Sequence, residues 1–199
     1  TKRFSQGFFS SQKTTALNDV SIRIEPGETV GLVGESGSGK STLALSIARL
    51  LNVDSGHIFF DGDEITHLNT SKMRPLRKEL QFVFQDPYSS LNPRMTVKGI
   101  ISEGIRQHRG LANANEIEDA IANALTTVGL DKDSMKKHPR EFSGGQRQRI
   151  AIARALAVEP KFLICDEPVS ALDMSIQAQI LNLLKMLKVE KSISMLFIS

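Results

Sequence analysis

Residues 34–41, GESGSGKS, have the residue types and spacing needed to bind a phosphate group. The glycines let backbone N–H groups approach an anion without interference from side chains. Lys40 adds a cation for the β- and γ-phosphates, and Ser41 adds a hydroxyl that can bind Mg²⁺. The predicted nucleotide contacts are Gly34, Glu35, Ser36, Gly37, Ser38, Gly39, Lys40, Ser41 and Thr42.

A second group of candidate residues follows the apolar segment 162–165. Asp166 and Glu167 come directly after it, at the end of a strand where parallel sheets bind ligands. We expect Asp166 to hold Mg²⁺ together with Ser41, and Glu167 to orient and deprotonate an attacking water. Two acids after a strand also begin ordinary helices, and it is the phosphate loop upstream that favours the catalytic interpretation.

Gln85 ends another apolar segment, residues 80–84, just before Asp86 and Pro87. Its neutral amide can contact both a metal ion and an attacking water, so Gln85 is a candidate catalytic residue and metal ligand. An ordinary turn residue would occupy the same position, and the residue types alone leave both interpretations open.

Residues 142–146, FSGGQ, form a further candidate anion site. The Ser143 hydroxyl and the amides of Gly144 and Gly145 precede a helix-like run that begins at Gln146. A simple helix N-cap explains the same residues, and one serine can serve both purposes. Because one active site does not need this second corner, it predicts an enzyme whose sites are completed by a partner. Three arginines on the same helix are expected to be solvated or ion-paired: Arg147, Arg149 and Arg154.

The surrounding elements must position these residues. Apolar patterns predict strands at 20–24, 28–33, 57–60, 80–84, 162–165 and 194–198. Helical spacing predicts helices at 41–51, 97–108, 116–128, 146–158 and 175–189, with Asn115 as the cap and Gly129 as the stop of the third. Alternating strands and helices predict an α/β fold with a mostly parallel sheet. Residues 88–140 lack a buried strand and predict a helical insertion.

Composition is typical of a globular protein, with 199 residues, 40% hydrophobic and 24% charged. A net charge of +3 gives no indication of nucleic acid or of an acidic membrane surface. The single cysteine, Cys165, excludes an internal disulfide, fits a reducing compartment and is predicted to fill the core. No segment approaches the about 20 apolar residues that span a bilayer. The ends at Thr1 and Ser199 lead us to expect a piece of a longer protein.

These motifs together resemble those of the ATP-binding subunits of ABC transporters, over nearly the whole chain. In that family residues 34–41 correspond to Walker A, Gln85 to the Q-loop and residues 142–146 to the signature. Residues 162–167 correspond to Walker B with its catalytic glutamate, and residues 170–173, SALD, to the D-loop.

Residues 84–97 and 165–184 are similar to the dipeptide/oligopeptide import branch, whose members also take up nickel or glutathione. The resemblance implies a single ABC ATPase domain, truncated at residue 199. Its P-loop NTPase core would comprise residues 1–87 and 155–199, with an N-terminal antiparallel β portion. An inserted α-helical signature subdomain would comprise residues 88–154.

The resemblance also implies cofactors and partners. ATP and Mg²⁺ would lie between Walker A of one subunit and the signature of a second ABC ATPase subunit, identical or different. The signature contacts would be Ser143, Gly144, Gly145 and Gln146. Integral-membrane permeases would receive the motion, an extracytoplasmic solute-binding protein would act indirectly, and no nucleic acid would bind. The subunit would be peripheral, at the cytoplasmic face of the inner membrane.

Two features depart from the family pattern. The switch histidine that follows the last strand in the family is absent, because this sequence stops at Ser199. The aromatic residue that stacks on adenine has three candidates near the N-terminus, of which we favour Phe4 over Phe8 and Phe9.

Two alternatives belong to other functional classes. A DNA-repair or chromosome ATPase shares this core, but it carries coiled-coil or zinc-bearing insertions. The segment between Gln85 and Phe142 has neither heptads nor cysteine pairs. A nucleotide-binding regulatory subunit with little hydrolysis would have lost Lys40, Glu167 or the signature, and all are present.

Overall fold

The computed structural model describes residues 1–5, 13–111 and 113–199. The strands are β1 (Lys2–Ser5), β2 (Lys13–Leu17), β3 (Thr29–Leu32), β4 (Phe59–Phe60), β5 (Asp63–Glu64), β6 (Leu80–Val83), β7 (Phe162–Asp166) and β8 (Ser194–Ile198). The helices are α1 (Lys40–Ile47), α2 (Thr70–Glu79), α3 (Pro87–Ser90), α4 (Val97–His108), α5 (Ala114–Thr127), α6 (Gly144–Leu156) and α7 (Met174–Lys191). Short 3₁₀ turns at Lys132–Lys136 and Pro139–Glu141 connect α5 to α6.

Four strands form one sheet in the order β3-β8-β7-β6. Every pairing in it is parallel, which confirms the predicted sheet. All five residues of β7 are buried, as expected for a strand covered by helices on both faces. Since Val83 of β6 lies opposite Cys165 of β7, the carboxyl ends of these strands are neighbours. That edge brings Gln85 near Asp166 and Glu167.

Two antiparallel pairs lie outside this sheet, β1 with β2 and β4 with β5. The first pair confirms the antiparallel portion expected at the N-terminus. The predicted strand at residues 20–24 is wrong, because this segment has no ladder partner within the described residues. Val20 and Ile22 are 48% and 38% exposed, and only Ile24 of the three alternating apolar residues packs against a core cluster.

Between β6 and β7 the described residues form helices and turns but no strand, which confirms the helical insertion. Helix α4 matches its predicted bounds. Helix α5 begins at Ala114 because Asn113, not Asn115, is its cap; the Asn113 side chain accepts the Asn115 N–H at 3.0 Å. Gly129 follows the helix with a φ of 72°, in the left-handed region that commonly ends helices.

Helix α2 has no counterpart in the sequence-based prediction. Pro75 lies inside it, and its other apolar residues are few: Met73, which is buried, and Leu76, which is half-buried. Asn69 begins the helix by accepting the Lys72 N–H at 3.0 Å. A cap and one buried side chain therefore hold a helix that the local pattern does not reveal.

Alternate residues of β7 face two different hydrophobic clusters. Leu163 belongs to the larger cluster, which packs α4, α5, α6 and α7 against the sheet and includes the fully buried Ile150 and Ile180. Ile164 belongs to the smaller cluster, which includes Ala44 of α1. Burying one such aliphatic side chain contributes about 1.5–3 kcal/mol, so both faces of the sheet are firmly covered. Among the described helices, none has the length and apolar character needed to cross a bilayer.

Candidate nucleotide-binding site

The segment at residues 34–41, called here the Lys40 turn, connects β3 to α1. This order is the strand–turn–helix context predicted for a phosphate loop. Gly37 has a φ of 83°, a left-handed conformation that favours glycine. The Lys40 Nζ donates to the carbonyl oxygens of Gly34 and Glu35, at 2.5 and 3.0 Å. The turn therefore holds its ammonium group against its own backbone.

Gly39 marks a close approach between the Lys40 turn and the N-terminal hairpin. Its φ is 98°, and a Cβ at this position would lie 2.5 Å from the Ala16 carbonyl oxygen of β2. Any larger residue would have to displace backbone on the β2 side. The β1–β2 hairpin is thus seated directly against the turn.

The predicted adenine-stacking residue lies on this hairpin. Phe4 pairs with Thr14 across the β1–β2 ladder and is 41% exposed. The Lys2 Nζ lies 5.5 Å from the centre of its ring. Phe8 and Phe9, the other two candidates, lie outside the described residues.

The structure brings together two of the three predicted metal ligands, Ser41 and Asp166. The Ser41 hydroxyl, in the first turn of α1, donates to Asp166 Oδ1 at 3.1 Å. Asp166 ends β7 and is buried. Burial raises the pKa of the Asp166 carboxyl above its usual value. The hydrogen bond from Ser41 lowers this pKa, the negative charge of Glu167 raises it, and the positive charge of Lys40 lowers it. Because burial disfavours the ionised form of this carboxyl, a nearby cation would stabilise it.

Glu167 and Gln85 form a second contact at the same sheet edge. The Gln85 Nε2 donates to Glu167 Oε2 at 2.7 Å. Glu167 has a φ of 44°, and its N–H donates to the Ile198 carbonyl oxygen at 3.0 Å. A left-handed conformation at a residue other than glycine costs about 1–3 kcal/mol and is concentrated at functional sites. Glu167 therefore has a strained backbone directly after β7, and its carboxylate is held by Gln85.

Residues 143–146, called here the Ser143 corner, begin α6. The Ser143 Oγ accepts the Gln146 N–H at 3.3 Å, and the Gln146 Oε1 accepts the Ser143 N–H at 3.0 Å. This reciprocal capping box explains why α6 starts at Gly144, before its predicted start at residue 146. Both side chains are exposed. In the described part of the chain no hydrogen bond joins the corner to the Lys40 turn.

A family model for the ABC transporter matches residues 17–170. The chain belongs to the ABC transporter family. The matched range contains the Lys40 turn, Gln85, the Ser143 corner and the Asp166–Glu167 pair. The geometry above therefore describes an ABC ATP-binding domain.

Curated relatives of this ABC chain carry transport names. It is 49% identical over 196 residues to the oligopeptide transport ATP-binding protein OppF of Streptococcus mutans, covering 98% of this chain and 63% of that protein. It is 49% identical over 200 residues to OppF of Bacillus subtilis, covering 100% of this chain and 66% of that protein. The chain thus spans about two thirds of the length of these relatives.

Solved ABC cassettes share the fold. The ATP-binding cassette MJ0796, in a dimeric post-hydrolysis state bound to ADP and Pi, superimposes with a TM-score of 0.88 at 31% identity. The match covers 100% of this chain and 84% of that one. A second dimeric structure of MJ0796 gives a TM-score of 0.86 at 32% identity, covering 98% and 84%. These matches confirm the P-loop fold and give no support to the DNA-repair alternative.

The oxygen donors of the ABC site fit Mg²⁺. Ser41 offers a hydroxyl, Asp166 a carboxylate and Gln85 an amide oxygen, which are the hard donors that this cation prefers. The described residues contain no group of three or more His, Cys, Asp and Glu side chains that could hold a metal ion. A Mg²⁺ ion here would therefore be held by few protein ligands, as is usual when nucleotide phosphates complete its coordination.

Two arginines of the ABC signature helix, both half-buried, donate to neutral oxygens, and among the described residues neither forms a salt bridge. Arg149 donates to the Val128 carbonyl oxygen at 2.6 Å and to Gln179 Oε1 at 2.9 Å. Arg154 donates to the Ser90 carbonyl oxygen at 2.6 Å. Helix α6 packs against α3, α5 and α7, and this packing brings the two side chains to carbonyl and amide oxygens of neighbouring elements.

Arg147 connects the signature helix to the segment after Gln85. Its guanidinium carbon lies 5.2 Å from the centre of the Tyr88 ring on α3. No local pattern indicates this pairing, because the two residues are far apart in the chain.

Ser170 of the D-loop joins the Glu167 group, a role that the motif alone did not predict. Its Oγ donates to the Glu167 carbonyl oxygen at 3.1 Å and accepts from Gln85 Nε2 at 3.4 Å. Its position three residues after Glu167 is the available sequence signal.

Cys165 lies beside this group but takes no part in it. The side chain is fully buried in β7, and burial raises the pKa of its thiol to about 12. Its burial confirms that Cys165 fills the core.

Proposed function

We propose that this chain is the ATP-binding and hydrolysing subunit of an ABC importer for peptides. The observation that carries the ATPase proposal is the convergence of the Lys40 turn, the Ser41–Asp166 bond and the Gln85–Glu167 bond at one sheet edge. The names of the relatives, oligopeptide transport for OppF and dipeptide transport for DppF of Lactococcus lactis, support peptides as the solute.

Each site residue has a proposed role. The amides of the Lys40 turn and the Lys40 ammonium bind the phosphates of ATP. Ser41, Asp166 and Gln85 would hold Mg²⁺, which supplies positive charge against the phosphate oxygens. Phe4 packs against adenine from the neighbouring hairpin.

Glu167 carries the proposed proton transfer. Its carboxylate accepts a proton from water as the water oxygen attacks the γ-phosphorus. The bond from the γ-phosphorus to the bridging oxygen breaks, which leaves ADP and phosphate. The bond from Gln85 orients the carboxylate that performs this step.

The Ser143 corner is proposed to serve the site of a second subunit. It is exposed, begins a helix and makes no hydrogen bond to the Lys40 turn of its own chain within the described residues. A head-to-tail pair, identical or different, would place this corner on the nucleotide of the other subunit. The dimeric cassettes among the structural neighbours support this assembly.

The proposed division of the chain follows from these roles. Residues 1–87 and 155–199 form the nucleotide-binding core, and residues 88–154 form the helical signature subdomain. The subunit would be peripheral at the cytoplasmic face of the inner membrane. There it would drive integral permeases and act indirectly with a solute-binding protein.

Glu167→Gln tests the proposal. It removes the base but keeps the hydrogen-bonding shape, so steady-state ATP hydrolysis should fall by on the order of 10²- to 10⁴-fold. ATP binding should persist, and sedimentation with Mg-ATP should show a dimer. Unchanged hydrolysis would refute Glu167 as the base. A variant that binds ATP yet stays monomeric at every concentration would refute the shared site.

A further inference from the structure

The start of α6 packs tightly against the beginning of α7. A Cβ at Gly145 would lie 2.5 Å from Ile176 Cγ2, a separation that real side chains do not adopt. A Cβ at Gly144 would lie 3.4 Å from Leu172 Cδ2, which is ordinary contact. The two glycines thus differ, because only at Gly145 would a methyl group force a neighbouring atom to shift.

Backbone conformation does not explain glycine at this position. Gly145 lies inside α6 and has no positive φ. A helix favours alanine over glycine, so the local structure alone would prefer a side chain here. Within the described chain, the close contact with Ile176 is therefore a reason for glycine at this position that does not depend on the nucleotide.

A second contact extends the first by one helical turn. Arg149 lies one turn after Gly145 on α6, and its Nη2 donates to Gln179 Oε1 at 2.9 Å. Gln179 lies one turn after Ile176 on α7. The two helices are therefore joined by an apolar contact at their starts and by a hydrogen bond next to it.

The segment that carries Ile176 also leads back to Glu167. The Ser170 N–H and Oγ both reach the Glu167 carbonyl oxygen, at 3.2 and 3.1 Å. The Gln177 Nε2 donates to the Leu172 carbonyl oxygen at 2.9 Å and ties the start of α7 to the same segment. A short path of covalent and hydrogen bonds thus connects Glu167, the proposed base of this chain's site, to the Ser143 corner, which is proposed to contact the nucleotide of a second subunit.

We propose that Ile176 is a positioning residue. It fixes the position of the Ser143 corner relative to the chain segment that follows Glu167. This inference rests on the proposed shared site. Packing of Ile176 on Gly145, supported by the Arg149–Gln179 bond, makes the corner and the D-loop one unit. When a partner's nucleotide engages the corner, the contact transmits a displacement to the chain's own Glu167.

A double-mutant cycle in the Glu167→Gln protein tests this inference. Gly145→Ala should raise the Mg-ATP-dependent dimer dissociation constant by on the order of tenfold, because the new methyl group must push α6 away from α7. Adding Ile176→Ala removes Cγ2 and Cγ1, and the nearest remaining atom, Cβ, lies 3.7 Å from the new methyl group. The double variant should recover to within about threefold of the parent and dimerise better than Ile176→Ala alone, because the new methyl group at position 145 fills part of the space that the Ile176 side chain leaves.

The controls separate this inference from the proposed function. Leu181→Ala changes an exposed side chain on the same helix and should leave dimerisation unchanged. If the Glu167→Gln parent itself does not dimerise with Mg-ATP, the shared site fails. If the parent dimerises but Ile176→Ala does not rescue Gly145→Ala, the positioning role of Ile176 is overturned. The same holds if Gly145→Ala dimerises normally.

The single variant Ile176→Ala keeps the test decisive if Gly145→Ala does not fold. In the protein with native Glu167, the hydrolysis rate should depend less cooperatively on ATP concentration. The dimer dissociation constant should rise about fivefold. Binding of a fluorescent ATP analogue to the monomer should not change, because the Lys40 turn lies on other elements. A variant with native cooperativity and native dimerisation would overturn the proposal.

Discussion

The Lys40 turn and the Ser143 corner are both glycine-containing starts of helices, yet they are built differently. The Lys40 turn holds a cation against its own carbonyl oxygens, and the next residue, Ser41, meets the carboxylate of Asp166. The Ser143 corner closes on itself through a capping box with Gln146, and its polar side chains are exposed. One region brings charged side chains of its own chain together, whereas the capping box of the other joins two neutral side chains.

The difference shows what a glycine corner needs to become a full site. Backbone amides and a helix start attract an anion in both regions. Only the Lys40 turn lies next to a sheet edge that supplies a metal-binding carboxylate and a base. The Ser143 corner can add hydrogen bonds to a phosphate, but it brings no group that could carry out the reaction.

Of the variants considered, Lys40→Ala should cause the largest loss of nucleotide affinity. If it did not, the Lys40 turn and the Ser143 corner would not differ as described. Removing the ammonium leaves the γ-phosphate without its cation, so affinity for a fluorescent ATP analogue should fall by about 100-fold or more. Fluorescence titration of the monomer measures this. Equal affinities for the variant and the native chain would mean that nucleotide binds elsewhere.

Asp166→Asn tests the metal side of the Lys40 region. Loss of the carboxylate should raise the Mg²⁺ concentration needed for half-maximal hydrolysis by on the order of 10- to 100-fold. The assay is a Mg²⁺ titration at saturating ATP.

The same variant should change the pH dependence of stability. Burial raises the pKa of the Asp166 carboxyl, so ionisation opposes folding. That cost is absent below the unfolded-state pKa of about 3.9, grows as pH rises, and is complete above the folded-state pKa. Without nucleotide, Asp166→Asn should therefore melt higher than the native chain at pH 7.5, with the difference shrinking toward pH 4. A difference that is the same at both pH values would contradict this assignment.

Ser143→Ala sharpens the comparison from the other side. We expect the Mg-ATP-dependent dimer to weaken by about tenfold, because one hydrogen bond to the partner's nucleotide is lost. Sedimentation measures the dimer, and titration of the monomer with a fluorescent ATP analogue gives the reference. Stability should also fall by about 1 kcal/mol through loss of the cap. A loss of monomer binding as large as that of Lys40→Ala would mean that the two regions serve one nucleotide.

Asn113→Ala should have the smallest effect. It measures the stability lost with a helix cap alone, for comparison with Ser143→Ala. It removes a helix cap far from any nucleotide and should cost about 1 kcal/mol of unfolding free energy, with native dimerisation. Asn115→Ala is the matched control and should cost less, since Asn115 contributes its backbone N–H to the cap. Urea denaturation compares the two variants. A larger loss for Asn115→Ala would reverse the correction made to the start of α5.

Several elements could be predicted because their signals are local. The bounds of α4 and β8 follow directly from the periodicity of their apolar residues. The Lys40 turn and the two carboxylates at the end of β7 are recognisable from spacing alone. Residues 20–24 show the limit of that method, because alternation describes a strand only where another strand is available for pairing.

Contacts between distant segments could not be predicted in the same way. Nothing in the residues around Gly145 indicates that Ile176 lies against it, or that Arg149 reaches Gln179. Helix α2 was missed for a related reason, since its stability depends on burying Met73 under other elements. Such features arise from packing, which a single sequence does not display.

The sealed position of Cys165 has a practical consequence. The sole thiol of the 199-residue chain is fully buried and stays protonated near neutral pH, so maleimide dyes will not react with it. A cysteine introduced at the exposed Ser175 would then be the only labelled position. Donor and acceptor dyes on separate copies could follow the approach of two subunits by energy transfer, with the native cysteine left in place.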